Sequence, residues 1–193
     1  AIDPSRQKVT LASGTHRNYD RLIAAPGIGL RFDAIDGYDE SASQTLPHAW
    51  QAGAQTLLLK RQLEAMPDNG LVVISAPKNP YRCPPGPYER ASLIAGFLAT
   101  HKPRAKLLVL DSKDNFSKKA LFQTGWRELY GQRIEWRGLS DSGQVNRVDT
   151  ARRELYTDFD SVVADVINII PPQTAGQIAA RSRLTDSTGW CPV

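Results

Sequence analysis

The stretch from Leu71 to Ala91, with the sequence LVVISAPKNPYRCPPGPYERA, decides the fold of this chain. It opens on an apolar run, Leu71–Ile74, of the kind that forms a buried strand. A turn crowded with proline follows, with Cys83 inside it, and an amphipathic helix comes next. Strand, turn and helix in this order mark the place where a nucleotide-binding α/β domain carries its phosphate loop. The order of elements therefore predicts a nucleotide-binding fold, whereas the prolines and the cysteine of the turn do not fit a phosphate loop.

A β-α-β unit is predicted around this turn. The strand covers residues 71–76, the helix runs from about Tyr88 to Thr100, and a second buried strand covers residues 106–110. Apolar residues within the helix recur at the spacing of a helix that packs on a sheet. A short crossover between two such strands implies a parallel sheet with a right-handed connection. The chain therefore belongs to the α/β class.

The other elements follow from apolar periodicity and from turn residues. In the third helix we expect Leu121, Phe122, Trp126 and Leu129 to face inward. The segment 139–160 is polar and predicts weak antiparallel strands around Ser142-Gly143 and Asp158. The remaining predictions are strands at 8–11 and 19–25 around Ser13-Gly14, helices at 47–66, 118–130 and 176–183, and strands at 133–136 and 164–170.

Composition and charge exclude several classes of protein. The 193 residues suggest one domain with flanks or two small lobes, and the net charge is +4. Because the basic residues are dispersed, we expect no nucleic-acid role. No apolar stretch approaches the roughly 18 residues of a transmembrane helix, and no signal peptide is visible. The chain starts at Ala1 without a methionine, which suggests a processed protein or a fragment.

The chain has two cysteines, Cys83 and Cys191. They lack the C-x-x-C spacing and the nearby histidines of a zinc site, so no metal site is expected. The two cysteines could form one long-range disulfide with each other, or either one could pair with a group outside this chain. Their number and spacing leave both alternatives open.

The proline-rich turn lacks what a dinucleotide loop requires. Such a loop uses glycines, whose backbone N–H groups approach the pyrophosphate at a helix N-terminus. Pro80, Pro84, Pro85 and Pro87 have no N–H group to donate, and Gly86 alone keeps a trace of the pattern. Asp111 ends the second strand, where the ribose-binding acid of an NAD site would lie. Without the glycine loop, a helix cap or turn former is the preferred interpretation of Asp111, and no NAD is expected.

Cys83 is the candidate catalytic residue. It lies beside Arg82 and just before a helix N-terminus, and both features favour a thiolate and hence redox or nucleophilic chemistry. The alternative is a small buried cysteine with a structural role, which is common. A polar turn of arginine and prolines fits that alternative poorly. We therefore predict a catalytic Cys83 that is supported by Arg82, Pro84 and Gly86.

The segment Arg82–Ser92, RCPPGPYERAS, resembles the cysteine motif in the flavoprotein subunit of flavocytochrome c sulfide dehydrogenase. Further stretches resemble this family in family order along the whole chain. They are Tyr19-Asp20 with Ala25-Pro26-Gly27-Ile28, Leu46-Pro47-His48-Ala49-Trp50, Ala164–Asn168 with Pro171-Pro172-Gln173, and Gly189–Val193.

The resemblance implies the architecture of a pyridine-nucleotide-disulfide reductase, with an FAD domain split in sequence around an NAD-like domain. We then expect residues 1–36 to end the first segment of the FAD domain and to include the linker, and residues 37–172 to form the NAD-like domain. Residues 173–193 would begin the return of the chain to the FAD domain. The resemblance implies a three-layer Rossmann-like fold in which the parallel sheet is joined by a small antiparallel β element.

The resemblance also implies an activity. The family oxidises sulfide, passes the electrons through FAD to a cytochrome c subunit, does not use NAD, and is exported to the bacterial periplasm. Cys83 would be one member of the redox-active disulfide near the flavin, where sulfide attack gives a persulfide. A periplasmic location suits such a disulfide.

This sequence departs from the family pattern in ways that bear on the flavin. It has no N-terminal GxGxxG for the FAD pyrophosphate and no cysteine for covalent flavin attachment. We therefore expect the chain alone to be inactive and to retain no FAD. The resemblance places the second redox cysteine beyond the chain, which leaves Cys191 a structural or unknown role. Pro26 and Gly27 are the candidate flavin contacts.

Two alternative functions are also consistent with the sequence. A sulfide:quinone reductase-like flavoprotein shares the architecture, but it requires a membrane-associating region and a quinone pocket. A non-catalytic scaffold would instead dock an acidic partner such as the cytochrome, with Lys113, Lys118 and Lys119 as candidate contacts.

Overall fold

The computed structural model describes residues 1–192 and divides the chain into two units. The smaller unit combines Ala1–Arg31 with the segment that starts at Gln173, and the larger unit is Phe32–Pro172. The assignment of the outer segments to an FAD domain stays a prediction.

The N-terminal part of the smaller unit is a three-stranded antiparallel sheet of β1 (Ile2–Asp3), β2 (Lys8–Thr10) and β3 (His16–Asn18). The turn at Ser13-Gly14 joins β2 and β3, as predicted. The predicted strand at 19–25 is wrong. Residues 16–18 take all three pairing positions that β2 offers, and the following segment is exposed, with Ile23 95% accessible. The next strand, β4, is Ile28–Leu30.

The predicted helix 47–66 is shorter in the structure, where α1 covers Ala54–Ala65. Gly53 has φ = +105°, a conformation that ends the helix on its N-terminal side. The residues before it are held by a side chain instead, because Gln55 Oε1 accepts hydrogen bonds from the backbone N–H groups of His48 (2.9 Å) and Ala49 (3.3 Å). The segment 47–53 is therefore an irregular loop.

Alternating strands and helices form the body of the larger unit, and the predicted β-α-β unit is confirmed. The elements are β5 (Leu71–Ala76), α2 (Gly86–His101), β6 (Lys106–Asp111), α3 (Lys119–Tyr130), β7 (Ile134–Arg137), β8 (Arg147–Asp149), β9 (Glu154–Tyr156), β10 (Ser161–Val163) and β11 (Val166–Ile169). Four strands pair in the order β11-β5-β6-β7, all parallel. A second sheet pairs β10-β9-β8 in antiparallel fashion.

The larger unit has three layers around the parallel sheet. Val73, Leu108 and Ile167 of that sheet share one buried cluster with Val148 and Leu155 of the antiparallel sheet. The alternate strand residues face the other side, where α1, α2 and α3 pack. This arrangement confirms the predicted α/β class with three Rossmann-like layers and a small antiparallel β element.

Two details of the larger unit differ from prediction. Leu121 and Leu129 are 68% and 73% exposed, whereas Trp126 is buried. The two leucines line an apolar groove of about 450 Å³ between α2 and α3, because α3 buries only one narrow stripe against β7 and α2.

In the 139–160 segment, the turn at Asp158 does join two antiparallel strands. Ser142-Gly143 does not, because it follows a short 3-10 turn at Leu139–Asp141.

The chain then returns to the smaller unit through β12 (Gln173–Ala175), which pairs antiparallel with β4, and through α4 (Gln177–Arg181). The predicted helix at 176–183 is thus shorter by a few residues. Within residues 1–192, no helix combines the length and the apolar character needed to cross a membrane.

Candidate active site around Cys83

The Cys83 turn lies at the carboxyl end of β5, the central strand next to both β11 and β6. In open α/β sheets, ligands bind at the carboxyl ends of the strands, so the fold places this turn at the usual site of chemistry. Cys83 is exposed, which excludes the buried structural role. Cys191 is partly exposed, and both cysteines are free thiols.

Cys83 has a strained backbone conformation. Its φ is +61°, in the left-handed region that residues other than glycine rarely adopt and that costs on the order of 1–3 kcal/mol. The Cys83 carbonyl accepts a hydrogen bond from the Gly86 N–H at 2.9 Å, which closes the turn. Inside the turn, the Pro84 carbonyl accepts a hydrogen bond from the Tyr81 hydroxyl at 2.7 Å. These contacts hold the cysteine in a conformation that it would not keep alone.

Position 86 requires glycine because a side chain there would clash with its neighbours, and not because of the backbone angle. A Cβ at this position would lie 2.7 Å from Trp50 Cη2 and 3.2 Å from Cys83 Sγ. Pro85 caps α2 just before Gly86, and its carbonyl accepts hydrogen bonds from the N–H groups of Tyr88 and Glu89, both at 3.0 Å. Glycine thus lets the first turn of α2 approach both the indole and the sulfur.

Arg82 connects the turn to the loop before α1. Its Nη2 donates a hydrogen bond to the Trp50 carbonyl at 2.5 Å. The indole of Trp50 is buried, and its backbone N–H donates to His48 Nδ1 at 2.9 Å. The suggested effect of Arg82 on the Cys83 thiolate stays a prediction.

A buried charged cluster fixes the turn on the side of β6. Asp111 is fully buried and accepts hydrogen bonds from the Tyr88 hydroxyl (2.7 Å) and Trp136 Nε1 (3.0 Å). Lys113 Nζ lies 2.6 Å from the same carboxylate and also donates to the Pro77 carbonyl at 2.9 Å. Asp111 is therefore neither a helix cap nor a turn former, because its carboxylate accepts hydrogen bonds from the side chains of Tyr88, Trp136 and Lys113.

The ionisable groups of this cluster respond to burial. Burial lowers the pKa of Lys113, and the adjacent Asp111 carboxylate opposes this shift. Burial raises the pKa of Tyr81 to about 12, where a hydrogen bond with Tyr88 acts against the rise and the nearby Asp111 and Cys83 add to it. Burial is also the first cause of the raised pKa of Tyr88, ahead of Asp111.

A second cluster fixes α2 on the side of β11. The Arg90 guanidinium donates to the His48 carbonyl (3.1 Å), the Ala49 carbonyl (2.6 Å) and Asn168 Oδ1 (2.8 Å). Asn168 Nδ2 in turn donates to the carbonyls of Pro47 (2.7 Å) and His48 (2.8 Å). Burial lowers the pKa of Arg90 to about 10, so the guanidinium remains charged at neutral pH.

His48 is a buried residue of this second cluster. Burial, followed by the positive charge of Arg90, lowers the pKa of His48 to about 4. The ring is therefore neutral at physiological pH. Its Nδ1 is an acceptor, as the hydrogen bond from the Trp50 N–H requires.

The roles of five residues in these clusters were not predicted from the sequence: Tyr88, Arg90, Asp111, Lys113 and Asn168. One signal was present, because Asn168 interrupts an otherwise apolar strand and a buried amide requires partners. The partners themselves are distant in sequence, so the pattern around each residue does not reveal them.

The candidate flavin contacts lie in the smaller unit. Gly27 has φ = +68°, and its carbonyl accepts a hydrogen bond from the Gly176 N–H at 3.0 Å. A Cβ at Gly176 would lie 2.0 Å from the Pro26 carbonyl oxygen, so the two chain segments touch at this point. A flavin-binding role of Pro26 and Gly27 stays a prediction.

Within residues 1–192, no cluster of three or more His, Cys, Asp or Glu side chains could hold a metal ion.

Solved structures share the fold of this chain at low sequence identity. A chain of the mitochondrial ATP synthase tetramer from Tetrahymena thermophila matches 100% of this chain with a TM-score of 0.60 and 18% identity. A chain of the covalent putidaredoxin reductase–putidaredoxin complex matches 97% with a TM-score of 0.61 and 20% identity. An engineered water-forming NADPH oxidase matches 98% with a TM-score of 0.57 and 16% identity. This chain covers only 50%, 43% and 40% of their lengths, respectively.

A family model gives the more specific result. The model described as the central part of the sulfide dehydrogenase (flavocytochrome c) flavoprotein chain matches residues 56–171. The matched region is more than half of the chain and contains the Cys83 turn, the Asp111 cluster, and Arg90 and Asn168 of the second cluster. The chain belongs to the family of sulfide dehydrogenase flavoprotein chains, of which it holds the central region.

Proposed function

We propose that this chain is the central part of an FAD-dependent sulfide dehydrogenase in which Cys83 reacts with sulfide. The observation that carries the proposal is an exposed cysteine, held in a left-handed turn at the carboxyl end of the central strand, in a chain of this family. In a disulfide, the Cys83 sulfur at such a position is accessible to a small nucleophile, and its surroundings fix its orientation.

The proposed reaction begins from a disulfide between Cys83 and a second cysteine. Hydrosulfide attacks the Cys83 sulfur, a new S–S bond forms, the disulfide bond breaks, and the second cysteine leaves as a thiolate. Cys83 then carries a persulfide, and the two electrons that sulfide has lost reside in the new thiolate. Bound FAD would supply the electron acceptor and pass electrons to a cytochrome c subunit. The glycine-rich loop that binds the FAD pyrophosphate is absent from this sequence, so this chain alone would not retain the flavin.

The turn also supports the proposal that no NAD binds at the carboxyl end of β5. Pro84, Pro85 and Pro87 lack the N–H groups that a pyrophosphate requires. Asp111, at the position of a ribose-binding acid, is buried and already accepts hydrogen bonds from three side chains. A periplasmic location is part of the proposal, since it suits a persistent disulfide.

The test uses the full-length flavoprotein together with its cytochrome c subunit. We expect Cys83→Ser to reduce sulfide-dependent cytochrome c reduction by on the order of a thousandfold or more, because the attacked sulfur is lost. Cys191→Ser is the matched control and should keep activity near that of the parent. Normal turnover of Cys83→Ser would refute the proposal and favour a scaffold that only docks the cytochrome.

A further inference from the structure

Trp50 touches the Cys83 turn through two different groups. Its indole edge lies over Gly86, at the place where a Cβ would meet both Trp50 Cη2 (2.7 Å) and Cys83 Sγ (3.2 Å). Cη2 and the sulfur are therefore within about 6 Å of each other, the range of sulfur–aromatic contacts. Its backbone carbonyl accepts the 2.5 Å hydrogen bond from Arg82. Trp50 thus contacts Arg82 and Gly86, the residues on either side of Cys83 in the turn.

Trp50 is itself held firmly in place. The indole is only 7% exposed, Arg90 lies 5.0 Å from its ring centroid, and the Trp50 N–H donates to His48. The indole Nε1 is buried, and it has no hydrogen-bond partner among residues 1–192. A buried donor without an acceptor is unfavourable, so stability alone does not explain a tryptophan at this position.

We propose that Trp50 is a positioning residue that holds Cys83 in its left-handed conformation and restricts the approach of a second sulfur. The indole edge and Gly86 cover one side of Sγ, which leaves the exposed side for attack. Thiol–disulfide exchange depends on which sulfur is attacked and on access to it. This inference rests on the role of Cys83 proposed above, but it concerns the geometry of the thiol rather than the turnover of sulfide.

The test measures Cys83 chemistry directly, in the 193-residue chain with Cys191→Ser, so that Cys83 is the only thiol. Glutathione disulfide is the probe. The Cys83 thiolate attacks one of its sulfurs, a protein–glutathione disulfide forms, and one glutathione thiolate leaves. The second-order rate constant is followed by mass spectrometry under conditions where circular dichroism shows each variant to be folded.

The variants form a double-mutant cycle between residues 50 and 86. Trp50→Phe removes the indole edge and should change the rate constant about fivefold or more. Gly86→Ala pushes a methyl group into the indole and the sulfur and should change it at least as much. The double variant should return to within about twofold of the parent, because the smaller ring leaves space for the methyl group. A purely structural role of Trp50 would change the melting temperature without this recovery.

Trp126→Phe is the matched control. It removes another buried tryptophan of the same unit, whose Nε1 donates to Ser92 at 2.8 Å, and it should lower stability without changing the rate constant. If Trp50→Phe does not fold, Gly86→Ala and Gly86→Ser give the same test with graded volume. Rate constants within twofold of the parent in every folded variant would overturn the proposal. That outcome is separable from the failure of sulfide oxidation, since glutathione disulfide requires neither flavin nor cytochrome.

Discussion

The start of α2 is attached to the strands on both sides of β5, and the two attachments balance charge in different ways. On the β6 side, Tyr88 donates to the buried Asp111, and the partly buried Lys113 ammonium neutralises that carboxylate at 2.6 Å. On the β11 side, Arg90 donates to Asn168 and two backbone carbonyls, so its hydrogen bonds within residues 1–192 all go to neutral oxygens, and its guanidinium lies over the Trp50 ring. The same helix is therefore held by an ion pair on one side and by an uncompensated cation on the other.

The difference shows what each attachment depends on. A buried ion pair is fragile when one partner is removed, because the other charge is left in a medium of low polarity. A buried guanidinium among carbonyls depends on the number and direction of its hydrogen bonds, which its planar fork supplies. We expect the β6 side to respond most to loss of charge and the β11 side to respond to loss of donors and acceptors.

The largest predicted effect is that of Asp111→Asn. The change keeps the shape of the side chain but leaves the Lys113 ammonium without a counter-charge, and we expect the free energy of unfolding to fall by about 3–5 kcal/mol. Urea denaturation followed by circular dichroism measures it. The control is Asp111→Asn combined with Lys113→Met, which removes both charges and should recover most of the loss. A double variant as unstable as the single one would show that charge balance is not what Asp111 supplies.

The second prediction changes the β11 side toward the arrangement on the β6 side. Asn168→Asp gives Arg90 a carboxylate partner, yet it removes the donors that reach the carbonyls of Pro47 and His48. Because two buried acceptors then face a carboxylate, we expect a loss of about 2 kcal/mol in the free energy of unfolding. The measurement is again urea denaturation at neutral pH. A gain in stability would mean that the charge of Arg90 is poorly compensated, and the contrast between the two sides would disappear.

The parallel sheet was predictable because its strands are continuous apolar runs, which signal burial on both faces regardless of partners. The same holds for α2, whose inward face shows helical spacing over many residues. The start of α1 was not predictable in this way. It depends on the positive φ of Gly53 and on the side chain of Gln55, which binds the preceding backbone only once the loop has folded against it.

In the candidate site, too, features set by local residue types were predictable, and features set by distant contacts were not. Cys83 and the lost dinucleotide loop follow from local residue types, since proline lacks an N–H group wherever it occurs. The groups that hold the turn depend on contacts across the fold. Tyr88 and Asp111 are 23 positions apart, and Arg90 and Asn168 are 78 positions apart. No local pattern connects such pairs, and only the register of the parallel strands brings them together.

The smallest predicted effect concerns the neutral ring of His48, which distinguishes the β11 side by its response to pH. Its pKa is about 4 in the folded chain and about 6.5 when exposed, so between these values the unfolded state binds more protons. Stability should therefore fall as the pH is lowered through this window, by on the order of 1 kcal/mol between pH 7 and pH 5. His48→Asn keeps an acceptor for the Trp50 N–H and should lose this component, so the difference between the two unfolding free energies isolates it. If the unfolding free energy falls equally in both proteins as the pH is lowered, His48 takes up its proton in the folded state as readily as in the unfolded one. Arg90 would then share its site with a second cation.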